Sequence, residues 1–110
     1  MSNARLEGKQ QEFLTFLQQK LEKFVWETQD NCFVGVLSPS TVSPKTIKIT
    51  IFLTHLHVEF TEKEDGALKT QYNVRIDSPQ KLIRSIFESI TSVVDMQRMQ
   101  LIIDEISKAS

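Results

Sequence analysis

The residues best suited to chemistry are two histidines and a glutamate that alternate along the chain: His55, His57 and Glu59. On an extended strand, alternate side chains project from one face about 7 Å apart, close enough to share a metal ion. Three such ligands with one open position would suit a catalytic zinc ion. The same alternation is also typical of the polar outer face of a strand. We take the polar face as the main interpretation and a metal-binding protein or metal-dependent enzyme as the alternative.

Other common catalytic patterns are missing from the sequence. Cys32 is the only cysteine, so it cannot form an intramolecular disulfide, and we predict a cytoplasmic protein. It lies beside Phe33 and Val34 with no basic motif nearby, which favours a small buried side chain over a nucleophile. The scattered glycines form no phosphate-binding loop, and no Gly-x-Ser-x-Gly motif is present. We therefore predict a non-enzymatic protein without a cofactor or a small-molecule substrate.

The elements that position these residues begin with a long amphipathic helix, predicted over residues 9–30. No Gly or Pro interrupts this segment, and its apolar side chains recur at spacings of three and four: Leu14, Leu17, Leu21, Phe24 and Val25. We predict residues 1–8 to be a flexible N-terminus, where Ser2-Asn3-Ala4 has the composition of a cloning remnant, and residues 9–110 to be a single α+β domain. The longest apolar runs are three residues, against the ~20 that span a bilayer, so no membrane partner is expected.

Three antiparallel strands are predicted between the first helix and a second one. Residues 32–37 form the first strand, and the proline-bearing residues 38–45 form the main loop. In residues 46–60 the apolar positions change from odd to even, so we predict one long middle strand with a bulge or sharp bend at residues 53–55. A tight hairpin is disfavoured there because no Gly, Asn or Pro lies near Thr54. Asp65-Gly66 predicts a hairpin turn, and strict alternation predicts the third strand over residues 68–76.

The second helix is predicted to start at Ser78-Pro79, with Ser78 as the cap and Pro79 at the first helical position. Its core-facing residues form one stripe: Ile83, Ile86, Phe87, Ile90, Val93 and Val94. After Asp95 a second stripe lies on nearly the opposite side of the helix: Met96, Met99, Ile102, Ile103 and Ile106. Either the helix breaks near Asp95, and a short third helix folds back onto the core, or the second stripe binds another surface.

Nucleic-acid binding is a third hypothesis. The predicted α-β-β-β-α order resembles, in topology alone, the double-stranded RNA-binding domain, whose second helix opens with a lysine cluster. This chain has only Lys81 and Arg84 there, and its 13 basic and 14 acidic residues give a net charge of −1, so no overall field attracts phosphates.

The sequence therefore predicts an α+β domain with a three-stranded antiparallel meander, a long bent middle strand and two covering helices. As its function we predict a protein interaction or assembly module that binds itself, as a homodimer, or another protein. The predicted interface is the stripe Met96, Met99, Ile102, Ile103 and Ile106, joined by an open sheet edge.

Overall fold

The computed structural model describes residues 4–37 and 44–109, which fold into an open five-stranded antiparallel sheet with helices at both ends of the chain. The elements are α1 (Ala4–Gln18), a 3-10 turn (Leu21–Lys23), β1 (Val25–Thr28), β2 (Phe33–Leu37), β3 (Lys45–Ile51), β4 (Leu56–Glu64), β5 (Ala67–Ile76) and α2 (Gln80–Lys108). Neighbouring strands are consecutive in the chain. The α+β class and the antiparallel sheet are confirmed. The prediction of a three-stranded meander is wrong. Because the sheet has five strands, the α-β-β-β-α order that resembled the double-stranded RNA-binding domain is also wrong.

The first helix is shorter than predicted at its end, because part of its apolar pattern belongs to a strand. α1 runs from Ala4 to Gln18, and residues 25–28 form the edge strand β1. Leu21 and Phe24 would be buried whether this segment were an α-helix or a 3-10 turn, because in both structures residues three apart lie on the same side. Val25 distinguishes the two. It is 70% exposed while Trp26 is buried, which is the period of two expected for a strand.

The predicted long middle strand is two strands, β3 and β4, joined by a turn at residues 52–55. The backbone N–H of Phe52 donates to the carbonyl of His55 over 2.8 Å, and Ile51 lies opposite Leu56. Residues directly opposite in an antiparallel pair share a face of the sheet. Odd positions on β3 therefore face the same way as even positions on β4, so the change of phase that we attributed to a bulge is the signature of a hairpin.

The second hairpin follows the sequence prediction. Asp65 and Gly66 have φ values of 55° and 81°, and positive φ at both central residues is what a two-residue type I′ turn requires. β5 runs to Ile76 as predicted, with one register irregularity between Glu62 and Lys63. Of its alternating apolar side chains only Ile76 is buried, whereas Leu68, Tyr72 and Val74 are exposed, so most of the predicted core face lies in water.

α2 is one continuous helix of 29 residues, so the predicted break near Asp95 does not occur. At ~1.5 Å per residue it is about 43 Å long. The predicted cap is also wrong: Pro79 is the N-cap residue, and no side chain caps this helix end. The predicted loop at residues 38–45 lies outside the described residues as far as position 43, and Lys45 already belongs to β3.

The core lies between one face of the sheet and the two helices. Its fully buried members are Leu14, Ile49, Ile51, Leu56, Ile83, Ile86 and Ile90. Trp26 of β1 lies across from Gly35 of β2, and its indole covers the glycine so closely that a Cβ there would sit 2.5 Å from a ring carbon. The indole Nε1 donates to the carbonyl of Leu21 over 2.8 Å. Within the described residues, no helix is long and apolar enough to cross a membrane.

Candidate functional site

α2 is held against the free edge of β1 by its side chains. The Gln97 amide Nε2 donates to the carbonyl of Phe24 over 2.9 Å, and the backbone N–H of Trp26 points at Gln97 Oε1 at 3.5 Å. The next residue, Arg98, adds a second contact with β1: its Nη2 donates to Thr28 Oγ1 over 3.2 Å. A side-chain amide thus occupies backbone groups that an edge strand otherwise leaves unpaired. The helix leaves the body of the protein directly after these contacts.

Beyond Arg98, α2 projects into solvent with the predicted stripe uncovered. Every residue from 98 to 109 is exposed, and the side chains of the stripe are between 51% and 68% exposed. With 100° per residue, the stripe points about 170° away from the direction in which Ile83, Ile86 and Ile90 enter the core. The hypothesis that these residues fold back onto the core is therefore wrong. Whether they form an interface stays a prediction.

The spacing within the stripe is that of a helix pairing with another helix. Met96, Met99, Ile103 and Ile106 are separated by three, four and three residues, the a/d pattern of a coiled-coil seam. One step earlier the same seam carries Ser92. The seam therefore becomes apolar only where α2 moves past the edge of β1, which is the part of the helix free to meet a partner.

The rings of His55 and His57 contact each other, whereas the Glu59 carboxylate forms its hydrogen bonds elsewhere. His55 lies in the turn before β4 with its ring stacked on Phe52, the centroids 4.6 Å apart, and His57 packs edge-on against it at 5.2 Å. Glu59 Oε1 instead accepts from the Gln71 amide at 3.4 Å. Among residues 4–37 and 44–109, no three His, Cys, Asp or Glu side chains converge closely enough to hold a metal ion.

The electrostatic surroundings of the histidine pair also oppose a cation. Partial burial, followed by the positive charges of Arg75 and His57, lowers the pKa of His55 below its ordinary value, while Asp77 acts in the opposite direction. Arg75 lies directly across from His57 on β5. A metal ion bound at these rings would meet the like charge of Arg75, which is partly offset by Asp77 Oδ2 at 3.8 Å from the Arg75 Nε. We do not carry the metal hypothesis further.

Two apolar cavities beside α1 were not identified from the sequence. One has a volume of about 330 Å³ and lies between the second half of α1 and β3, and the other has about 300 Å³ and lies towards β4 and β5. Phe13 lines both. Each cavity is lined by α1 and by two strands, β2 and β3 for the first and β4 and β5 for the second, so residues distant in sequence form them.

Comparisons with known proteins add no relative from which a function could be transferred. No protein-family model matches the chain, no curated protein matches it, and no solved structure matches it.

Proposed function

We propose that this protein is a non-enzymatic assembly module that forms a homodimer through the C-terminal third of α2. The observation that carries the proposal is the projecting end of α2, where the apolar stripe from Met96 to Ile106 has a coiled-coil spacing and its side chains are between 51% and 68% exposed. An amphipathic helix face of this kind is a common protein-recognition element. An apolar surface that is left in water on a small domain usually marks an interaction site.

The size of the stripe fits a dimer of modest stability. From their exposed fractions, the five side chains leave about 500 Å² of apolar surface in water per copy, roughly the largest patch that an ordinary monomer shows. Pairing two copies would remove about 1,000 Å² before the polar rim is counted, which reaches the threshold of a specific interface. Methionines at two of the five positions add side chains that adapt to irregular surfaces.

An antiparallel pairing uses four of the five stripe residues, with Ile102 beside the seam. If two copies of α2 meet around residue 101, Met96 of one lies opposite Ile106 of the other, and Met99 lies opposite Ile103. Such a and d layers alternate along an antiparallel coiled coil. A two-fold arrangement of this kind is also the commonest symmetry for small homo-oligomers. The two sheets would then lie on the outer sides of the helix pair, because the stripe and the core occupy opposite faces of α2.

The test is the solution mass by light scattering over a range of protein concentrations. We expect a species of twice 12.7 kDa, about 25 kDa, that dissociates on dilution. A species of 12.7 kDa at every concentration up to the millimolar range would contradict self-association.

A further inference from the structure

The cavity between α1 and β3 has a composition unlike the rest of the surface. It is a cleft of about 330 Å³ that is open on one side, and its accessible lining is apolar. Its walls are formed by Phe16, Leu17, Phe24, Leu37, Ile47 and Ile49. A volume of this size is at the lower end of small-molecule sites, which are concave and mostly apolar. The cavity could therefore hold the apolar part of a small ligand.

The mouth of this cavity is positively charged. Lys20 and Lys23 contribute to its lining, yet no polar atom faces the interior, so their methylene stems form the wall and their ammonium groups lie outside. Lys20 Nζ is 5.7 Å from the centre of the Phe16 ring. Within the described residues, neither lysine forms an ion pair. Two ammonium groups at the rim of an apolar cavity complement a ligand with an apolar tail and an anionic head.

A peptide is a poorer match for the same cavity than an alkyl chain. Each peptide unit carries an N–H and a C=O group, which lose free energy when they enter a site without hydrogen-bonding partners. A helix is about 10 Å across and could insert only side chains. An alkyl chain has no polar groups to satisfy. At roughly 30 Å³ per methylene, taken as similar to the volume of one water, a cleft of about 330 Å³ is of the size of a medium-length alkyl chain.

We propose that this cleft binds a medium-chain fatty acid, with the alkyl tail between α1 and β3 and the carboxylate at Lys20 and Lys23. Phe13 lines both this cavity and the neighbouring one of about 300 Å³. The proposal is independent of dimerisation, since the cleft and the stripe on α2 share no residue.

The experiment titrates dodecanoate into the purified full chain, with binding followed by calorimetry and by the fluorescence of Trp26. The indole is a suitable reporter because its ring centre is 5.5 Å from that of Phe24, which lines the cavity. We expect saturable binding of one dodecanoate per chain. Dodecyltrimethylammonium, which has the same tail and the opposite charge, should bind at least tenfold more weakly.

Three variants make the assignment specific. Lys20→Glu with Lys23→Glu should weaken dodecanoate binding at least tenfold, whereas Lys63→Glu with Lys69→Glu changes the net charge equally at residues that do not line the cavity and should leave dodecanoate binding unchanged. Ile47→Trp should fill the cavity and abolish binding. Circular dichroism establishes that each variant is folded.

Several outcomes would overturn the proposal. The first is the absence of saturable binding to the folded wild-type chain. The second is equal affinity for the anionic and cationic amphiphiles, and the third is an equal effect of the two charge reversals. If dodecanoate or Ile47→Trp converted a dimer into monomers, the occupant of the cleft would be the second copy and not a fatty acid. A monomeric variant of the stripe that still binds dodecanoate separates this proposal from the proposed dimer.

Discussion

Replacing Ile103 and Ile106 together by glutamate is expected to give a folded monomer. Both side chains are more than half exposed in the isolated chain, and exposed positions of this kind usually change folding stability by less than about 0.5 kcal/mol when substituted. In the dimer the same change removes the burial of two isoleucines per copy. At about 1 kcal/mol for half a side chain, four such losses total about 4 kcal/mol. That alone weakens dimerisation roughly 1,000-fold, and four carboxylates facing apolar surface weaken it further.

The assay combines light scattering across a dilution series with urea unfolding of the same samples. Leu101→Glu is the matched control, because Leu101 is equally exposed, at 65%, but lies on the side of α2 away from the stripe. We expect the control to dimerise like the wild type. Two results would refute the reasoning: an unfolded double variant, which would make the stripe part of the core, or a double variant that remains dimeric at the concentrations where the control does.

Three further predictions concern the fold and its pH dependence. Gly35→Ala should lower the free energy of unfolding by about 1–3 kcal/mol, measured by urea denaturation, because the new methyl group would collide with the Trp26 indole; an unchanged midpoint would contradict the close contact. Gln97→Ala should lower it by about 1 kcal/mol through the loss of its hydrogen bonds to β1, while Gln100→Ala should have little effect. The lowered pKa of His55 means that the folded state binds fewer protons than the unfolded state, so stability should fall as pH decreases through 6.5 and below. His55→Gln should flatten this dependence between pH 5 and 7.5, and an identical pH profile for the variant would rule out His55 as its source.

The second half of the fold was more predictable than the first because its local signals agree with its tertiary contacts. Asp65 and Gly66 favour the turn that the structure contains, and strict alternation predicts β5. Residues 21–26 give no such agreement, since a 3-10 turn followed by a strand places Leu21 and Phe24 on the same side as a helix would. The pairing of Trp26 with Gly35 decides in favour of the strand, and that pairing is not visible in the local sequence.

The β3–β4 hairpin was missed for a different reason. A turn with an even number of residues and a one-residue bulge both change the phase of the apolar positions, and only the pairing of Ile51 with Leu56 separates them. The turn at residues 52–55 has no Gly or Asn to favour a hairpin. His55 was consequently assigned to the same strand as Glu59. The sequence therefore placed three possible metal ligands on one strand face, whereas His55 lies in the turn before β4.

The candidate site was predictable where it depends on helical periodicity alone. The stripe on α2 follows from the spacing of its methionines and isoleucines, whereas the contacts of Gln97 and Arg98 with the β1 segment are tertiary and are not visible in the local sequence. The cleft beside α1 could not be predicted, because Phe16, Leu37 and Ile47 come together only through the order of the strands.

The two edges of the sheet differ in how accessible their backbone groups are to an additional strand. At β1 the edge is four residues long and partly occupied by the Gln97 amide. At the other side β5 presents ten residues, and among residues 4–37 and 44–109 its one neighbouring strand is β4. A foreign strand, or a misfolded copy of this chain, would therefore be added next to β5 and stop at β1. Lys69 and Arg75 lie along that outer strand, and charged residues are a common protection against such additions.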